Sequence, residues 1–205
     1  MRHSDANPSE HYFARKPRSK PRFGLIRTCL RGVFFEFVTA SGVFSKKRVD
    51  LGTGLLIESM IIPEKGSVLD VGCGYGPVGI VMAALNRGLQ VFMVDVNERA
   101  VWLARENAKR NSAHNVTVKE GFLYEPVKGL KFNSIVSNPP VSAGLKVVLP
   151  IIEQAPAHLE SGGLFQIVVR SKIAGKRLKD VMEETFGNAD VLARESGYRV
   201  LLSRT

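Results

Sequence analysis

Two short motifs contain the residues best suited to chemistry. Residues 68–76 read VLDVGCGYG, in which three glycines alternate after the acidic Asp70. Glycines let a backbone approach a ligand closely, and the free N–H groups of a following helix attract anionic or polar groups. Residues 137–140 read SNPP, where an amide and a proline carbonyl offer two hydrogen-bond acceptors. The pair predicts a cofactor loop and a clamp for a planar NH₂ group.

The spacing of the glycine loop favours S-adenosylmethionine over a dinucleotide. A dinucleotide fingerprint reads G-x-G-x-x-G, but Pro77 occupies its third position and the spacing is G-x-G-x-G. Asp95 ends the next predicted strand, where a carboxylate accepts hydrogen bonds from ribose hydroxyls. A glycine-rich turn without a role, with Asp70 as a helix cap, is the alternative. The predicted cofactor-binding residues here are Asp70, Gly72, Cys73, Gly74, Gly76, Asp95 and Val96.

The SNPP motif predicts the catalytic residues Asn138, Pro139 and Pro140. The Asn138 amide oxygen and the Pro139 carbonyl would grip both protons of an amine, while the prolines restrict the backbone. Positive charge that develops on the nitrogen would strengthen both bonds. A simple turn at the end of a strand is the alternative explanation of the tetrapeptide.

Alternating strand and helix patterns predict the fold that positions these motifs. Short apolar strands such as 67–71 and 89–95 are separated by helical patterns, one of them with Asn97 as its predicted N-cap. This order predicts a parallel sheet covered on both faces. The last two β-like runs, 189–195 and 198–204, predict a closing hairpin with one antiparallel strand. Ligands of such sheets bind beyond the carboxyl ends of the strands, so both motifs should face one cleft.

The N-terminal quarter has a different pattern. Residues 32–38 and 42–50 flank a short turn and predict a β-hairpin, and residues 52–62 predict a helix. Prolines and cations in the first residues argue against a packed element. The predicted organisation is a basic flexible arm at 1–22, a hairpin and helix extension at 23–66 and a catalytic domain at 67–205.

Charge and composition restrict the partners. The net charge is +10, and residues 1–50 hold 11 lysines and arginines against 4 acidic residues, which predicts a polyanionic partner. No apolar run reaches the roughly 18 residues that span a bilayer, and no signal peptide is recognisable. A cytoplasmic protein without a membrane partner is therefore expected. The two cysteines and four histidines show no metal-ligand spacing, so no metal is predicted. Oligomeric state stays open.

The motifs in this order resemble the class I methyltransferases. More closely, the chain is similar to the methyltransferase small family, including enzymes that methylate guanine N2 in ribosomal RNA, and to small archaeal members. The resemblance rests on residues 41–56, 68–80, 94–101, 137–144 and 196–203. It implies a Rossmann-like α/β fold whose seven-stranded, mostly parallel sheet has the order 3-2-1-4-5-7-6 with strand 7 antiparallel. It also implies that S-adenosylmethionine binds at Asp70, Gly72, Gly74 and Asp95.

Two positions depart from the family pattern. Phe122 stands where an acid usually reads adenine, so the ring is predicted to pack on adenine, or Glu120 to replace the acid. Val141 follows the prolines where relatives often have an aromatic ring, so the target base would stack on Phe44 or another ring. Thr53 is predicted to approach the methionine end of the cofactor, or to act as a plain N-cap. The predicted substrate-binding residues are Phe44, Lys46, Lys47, Arg48, Val141, Arg170 and Lys172.

The leading functional prediction is methylation of an exocyclic amine in ribosomal or transfer RNA, with guanine N2 as the acceptor. A duplex restricts access to that amine, so a single-stranded or flipped target is expected. Adenine N6 methylation of RNA or DNA, glutamine methylation in a protein, and a non-catalytic RNA-binding subunit are the alternatives. The basic residues expected to hold phosphates are Arg15, Lys16, Arg18, Lys20 and Arg22, together with Lys46, Lys47 and Arg48.

Overall fold

A two-stranded hairpin and a seven-stranded mixed sheet organise the chain. The computed structural model describes residues 20–43, 48–141 and 144–205. The strands are β1 (Phe23–Leu30), β2 (Val33–Ala40), β3 (Gly66–Val71), β4 (Leu89–Asp95), β5 (Val116–Glu120), β6 (Phe132–Ser137), β7 (Leu159–Arg170), β8 (Asp190–Glu195) and β9 (Tyr198–Arg204). The helices are α1 (Leu51–Ser59), α2 (Pro77–Leu85), α3 (Glu98–Arg110), α4 (Leu145–Glu153) and α5 (Lys176–Phe186).

The large sheet confirms the predicted fold class. Its strand order is β5-β4-β3-β6-β7-β9-β8, which is 3-2-1-4-5-7-6 when β3 is counted as the first strand. Strands β3 to β7 pair in parallel, and β9 runs antiparallel to both β7 and β8. The chain order reverses between β3 and β6, and in open α/β sheets the crevice at such a reversal is where ligands bind.

Both faces of the sheet are covered because its central strands carry apolar side chains in both directions. Along β3, Val68 belongs to the cluster formed with α1, α2 and α3, while Leu69 and Val71 belong to the cluster formed with α4 and α5. This alternation follows the two-residue period of a strand. The two apolar layers hold the carboxyl ends of the parallel strands in a rigid frame.

The helix termini follow local sequence signals. Asn97 caps α3 by accepting the backbone N–H groups of Arg99 and Ala100, as predicted. α2 begins with Pro77 at its first position. Gly187 ends α5 in a left-handed conformation with φ of 74°. No helix in the described ranges is both long and apolar enough to cross a membrane.

The predicted hairpin exists, but its strands lie earlier in the chain than predicted. β1 and β2 pair through a two-residue turn at Arg31 and Gly32, both at positive φ. The prediction of a strand at 42–50 is wrong where the chain is described, because 42–43 and 48–50 are not strand, and 44–47 lie outside the described residues. Arginine rarely adopts positive φ, but here its guanidinium donates to the carbonyls of Ile57, Glu58 and Met60. These bonds hold the turn against the end of α1.

Two asparagines, Asn107 in α3 and Asn111 at its C-cap, attach the hairpin to the rest of the molecule. The Asn107 amide accepts from Val38 N at 2.7 Å and donates to the carbonyls of Val38 and Tyr75, both at 2.9 Å. Asn111 makes the equivalent pair of bonds with the backbone of Glu36. These amides satisfy one edge of β2 as a neighbouring strand would, so the hairpin is held on α3. Most of the predicted arm at 1–22 lies outside the described residues, which begin at 20.

Replacing Asn107 with Ala should destabilise the protein by about 3 kcal/mol, because it leaves backbone groups of Val38 and Tyr75 without partners in a buried site. Urea unfolding measures the loss. Arg27→Ala on the exposed face of the same hairpin removes a surface ion pair with Glu36 and is the control, with an unfolding midpoint close to the wild type. An Asn107→Ala midpoint equal to that of the control would contradict this role.

Candidate active site

The glycine loop turns the chain from β3 into α2. Gly72 and Gly74 have φ of 73° and 58°, and a Cβ added at either would meet nothing within 4 Å, so backbone conformation rather than crowding requires glycine. Gly72 N and Cys73 N donate to the carbonyl of Val94 at 2.8 and 3.0 Å. The loop is thereby fixed to the end of β4, beside Asp95.

Two acidic side chains support this loop. Asp70 is 2% exposed, and its carboxylate accepts the Gly79 N–H in the first turn of α2 at 3.0 Å. Asp95 accepts the N–H groups of Gly74 at 2.8 Å and Asn97 at 2.9 Å. Each carboxylate retains lone pairs beyond these bonds. Both groups therefore hold the local backbone and can still accept donors from a ligand.

Burial raises the pKa of both acids. The pKa of Asp70 rises to about 7, chiefly because burial penalises the charged form; the Gly79 hydrogen bond opposes the shift and the nearby charge of Asp95 adds to it. The pKa of Asp95 is also raised by burial, against the N–H donors that favour its charged form. Two desolvated carboxyls beside one cleft suit a ligand that brings positive charge or hydroxyl donors.

Asn138 stands directly beyond β6 and is held by residues from the start of α1. Its amide nitrogen donates to Thr53 Oγ1 at 2.8 Å and to Asp50 Oδ2 at 3.2 Å. The Thr53 hydroxyl in turn donates to the same Asp50 oxygen. The Pro139 carbonyl accepts the N–H of Val141 at 2.8 Å, which leaves it one further lone pair.

The two motifs share one cleft of about 430 Å³, as predicted. It lies at the carboxyl ends of β3 and β6, where the Ser137 hydroxyl donates to the Val71 carbonyl at 2.7 Å. The structure brings together most of the predicted site residues, since the lining includes Thr53, Asp70, Gly72, Cys73, Gly74, Asp95, Val96, Phe122, Asn138, Pro139, Pro140, Val141 and Arg170.

Other predicted residues lie elsewhere. Gly76 is buried beneath the loop, where an added Cβ would lie 2.9 Å from Ile80, so it supports the cleft without lining it. Arg48 and Lys172 are exposed and do not line the cleft. Phe44, Lys46 and Lys47 lie outside the described residues.

Asp50 and Tyr198 line the cleft although the sequence did not single them out. The Tyr198 ring covers the start of α1, where a Cβ at Gly52 would lie 2.9 Å from it. Its hydroxyl accepts from Arg170 Nε at 2.9 Å, and the Arg170 guanidinium lies 5.2 Å from the ring centre. The available signal for Asp50 was its place as an acidic N-cap three residues before Thr53. For Tyr198 the sequence contains no signal of a place in the cleft beyond the pattern that predicts a strand.

Sequence comparisons identify relatives along nearly the whole chain. The model of the methyltransferase small domain matches residues 35–202. The uncharacterized protein YbxB of Bacillus subtilis strain 168 is 41% identical over 198 residues, which cover 96% of this chain and 98% of YbxB. Ribosomal RNA small subunit methyltransferase C of Aeromonas hydrophila is 38% identical over 170 residues, which cover 80% of this chain and 47% of that protein.

Solved structures show the same fold. A T. thermophilus 16S rRNA N2 G1207 methyltransferase, RsmC, in complex with AdoMet and guanosine has a TM-score of 0.81 and 26% identity, covering 92% of this chain and 52% of that chain. A precorrin-6y C5,15-methyltransferase from Geobacter metallireducens has a TM-score of 0.64 at 18% identity and shows the fold alone. The chain therefore spans about half the length of the methyltransferase C relatives that it matches.

Replacing Asp70 with Asn should change how stability depends on pH. Because the folded-state pKa of Asp70 is about 7 against an ordinary value of 3.8, the folded state holds the extra proton between these values. Wild-type stability should therefore fall as pH rises through this window, by at most about 4 kcal/mol from this group. Asp70→Asn keeps an acceptor for Gly79 and lacks this loss.

Thermal unfolding at pH 5 and pH 8 measures the difference. The midpoint of Asp70→Asn relative to wild type should be higher at pH 8 than at pH 5. Asp180→Asn removes the same charge from an exposed position on α5 and is the control. If the unfolding midpoints of Asp70→Asn and wild type differ by the same amount at both pH values, the buried carboxyl of Asp70 does not cause the pH dependence.

Proposed function

The chain belongs to the methyltransferase small domain family, and from this premise we propose that it transfers a methyl group from S-adenosylmethionine to an exocyclic amine of RNA, with guanine N2 of ribosomal RNA as the acceptor. The observation that carries the proposal is the shared cleft, in which Asp70 and Asp95 flank the glycine loop and Asn138 lies at the neighbouring strand end. Side chains suited to hold the cofactor and a side chain suited to hold an amine therefore lie in the same cleft.

The donor set of the cleft fits S-adenosylmethionine. Asp95 would accept ribose hydroxyls with the lone pairs that Gly74 and Asn97 leave free. Asp70 and the N–H groups of the loop would hold the amino acid end, whose ammonium favours the charged form of a buried carboxyl. Phe122 is 47% exposed at the end of β5 and offers a ring face for adenine in place of the usual acid. When bound, the cofactor supplies an electrophilic methyl group on a positively charged sulfur.

The acceptor amine would be held by oxygen atoms of this chain. The Asn138 amide oxygen and the remaining lone pair of the Pro139 carbonyl would each accept one amine proton. As the nitrogen forms its new bond to carbon, it gains positive charge, and both hydrogen bonds strengthen. The carbon–sulfur bond breaks with its electron pair left on sulfur as the carbon–nitrogen bond forms, and one proton of the nitrogen then passes to water to restore the neutral amine.

RNA is proposed as the substrate class on two grounds. The chain is strongly basic, with a net charge of +10 concentrated in its first 50 residues. The methyltransferase C of Aeromonas hydrophila and the T. thermophilus RsmC, both reported above, are named as ribosomal RNA methyltransferases. Val141 cannot stack on a base, so Tyr198, which lines the cleft beside Asp50, is the proposed ring surface for the target base. Arg170, which bonds to Tyr198, would lie beside the phosphates.

The substrate is tested with tritiated S-adenosylmethionine and total RNA or small ribosomal subunits from a strain that lacks the gene. Nuclease digestion and mass spectrometry should show N2-methylguanosine. N6-methyladenosine would move the acceptor to adenine and overturn the guanine assignment. Label found in protein, with none in RNA, would overturn RNA as the substrate.

Asn138→Ala should lose methyl transfer, whereas Asp95→Ala should lose affinity for the cofactor. Asn138→Ala removes an acceptor for the amine, so kcat should fall by about 100-fold or more while cofactor Kd changes less than about 3-fold. Asp95→Ala removes a carboxylate acceptor, so cofactor Kd should rise about 10-fold or more. Calorimetry and single-turnover methyl transfer measure the two effects, with unfolding curves as the control for folding. An equal loss of cofactor binding in both variants would refute the division of roles.

The charges before residue 20 should contribute to RNA affinity. The triple variant Arg15→Gln, Lys16→Gln, Arg18→Gln should bind RNA more weakly and reduce the slope of log K against log salt by about 2, at roughly 0.7 for each lost phosphate contact. Filter binding across a salt series measures the slope. Lys65→Gln, Lys109→Gln and Lys128→Gln together remove the same charge from exposed positions and are the control. Equal slopes for both triple variants would argue against a phosphate-binding arm.

A further inference from the structure

Asn138 is held by two hydrogen-bonded residues at the start of α1, Asp50 and Thr53, which both accept from its amide nitrogen. Asparagine has one oxygen acceptor and two N–H donors on its side chain. The Asn138 nitrogen lies 2.8 Å from Thr53 Oγ1 and 3.2 Å from Asp50 Oδ2, and these two oxygens are bonded to each other, so they lie on one side of the nitrogen and share one N–H. The amide oxygen, for which no hydrogen bond is seen among the described residues, remains for a ligand.

Asp50 determines which groups donate and which accept in this set of hydrogen bonds. A carboxylate can only accept, so the Thr53 hydroxyl must donate its proton to Asp50 and face Asn138 with a lone pair. A flipped Asn138 would place its oxygen against the Asp50 carboxylate oxygen, where two acceptors repel. Asp50 is itself fixed, because it caps α1 by accepting the N–H groups of Gly52 at 2.9 Å and Thr53 at 3.3 Å.

From this geometry we propose that Asp50 and Thr53 are positioning residues that select the acceptor atom of the substrate by locking the Asn138 amide with its oxygen toward the cleft. An oxygen presented there binds a group that carries N–H protons, such as an exocyclic amine, and repels a carbonyl. The inference rests on the proposed function and deepens it, because it assigns the choice of an amine to residues outside the SNPP motif. It also gives Thr53 a role toward Asn138 in place of the one predicted toward the cofactor.

Asp50→Asn tests the lock with little change in shape. Asparagine is a good N-cap, and the Gly52 N–H at 2.9 Å is a closer donor than the Thr53 N–H at 3.3 Å, so it keeps the new amide oxygen toward itself. The new NH₂ group would then face the NH₂ group of Asn138, and Asn138 would turn its oxygen away from the cleft. We expect kcat to fall about 100-fold, with cofactor Kd within about 3-fold of wild type and an unfolding curve that still shows a folded protein.

Substitutions of Thr53 separate the hydroxyl from simple packing. Thr53→Val keeps the branched shape and loses the hydroxyl, so kcat should fall about 10-fold at unchanged cofactor Kd. Thr53→Ser restores the hydroxyl and should recover most of the rate. Ser59→Ala is the matched control, because it removes a side-chain hydrogen bond to Leu55 at the other end of α1 and should leave kcat unchanged. A cofactor Kd that changes in Thr53→Val while kcat does not would overturn the positioning role.

A spectroscopic readout keeps this test independent of the substrate. In protein labelled with ¹⁵N-asparagine, the Asn138 side-chain signal is identified by its loss in Asn138→Ala. Its bonded amide proton should be protected from exchange in wild type and Ser59→Ala, and should exchange faster and shift in Asp50→Asn and Thr53→Val. Unchanged signals in both variants would overturn the lock. Absence of RNA methylation by wild type, with the signals behaving as expected, would refute the proposed function and leave the lock standing.

Discussion

The hydrogen bond from the Ser137 hydroxyl to the Val71 carbonyl joins the ends of β6 and β3 where the sheet order reverses. Both strands run in parallel, so each delivers its following residues to the same edge of the sheet. One strand is followed by the glycine loop, and the other by Asn138. The cleft exists because these two strand ends are adjacent, although 66 residues of sequence separate the bonded pair.

The acids of the cleft hold its backbone and are the proposed binding groups for the cofactor. Asp70 holds the first turn of α2 through Gly79, and Asp95 holds the glycine loop through Gly74. Burial makes the charged form of each carboxyl unfavourable, which raises both pKa values. A cationic ligand would compensate this cost, so the site is most stable in its charged form when such a ligand is bound.

The segment before β3 forms one wall of the cleft. Gly42, Val43, Asp50 and Thr53 line it, and the hairpin ahead of them is held on α3 by the buried amide of Asn107. A change in the position of α1 would therefore reach Asn138 through the bonds from Asp50 and Thr53. In the proposed function, residues outside both motifs would thereby influence the chemistry between them.

The sequence by itself determined the alternation of strands and helices, the glycine loop and the place of SNPP, because these depend on local backbone periods and turn chemistry. It predicted a hairpin but misplaced its strands, since a positive φ at Arg31 depends on distant carbonyls of α1. Only the tertiary structure decided that Asp50 meets Asn138, 88 residues away, and that Tyr198 covers the start of α1. Spacing along a chain specifies local conformation, whereas a hydrogen bond across the fold depends on which elements pack together.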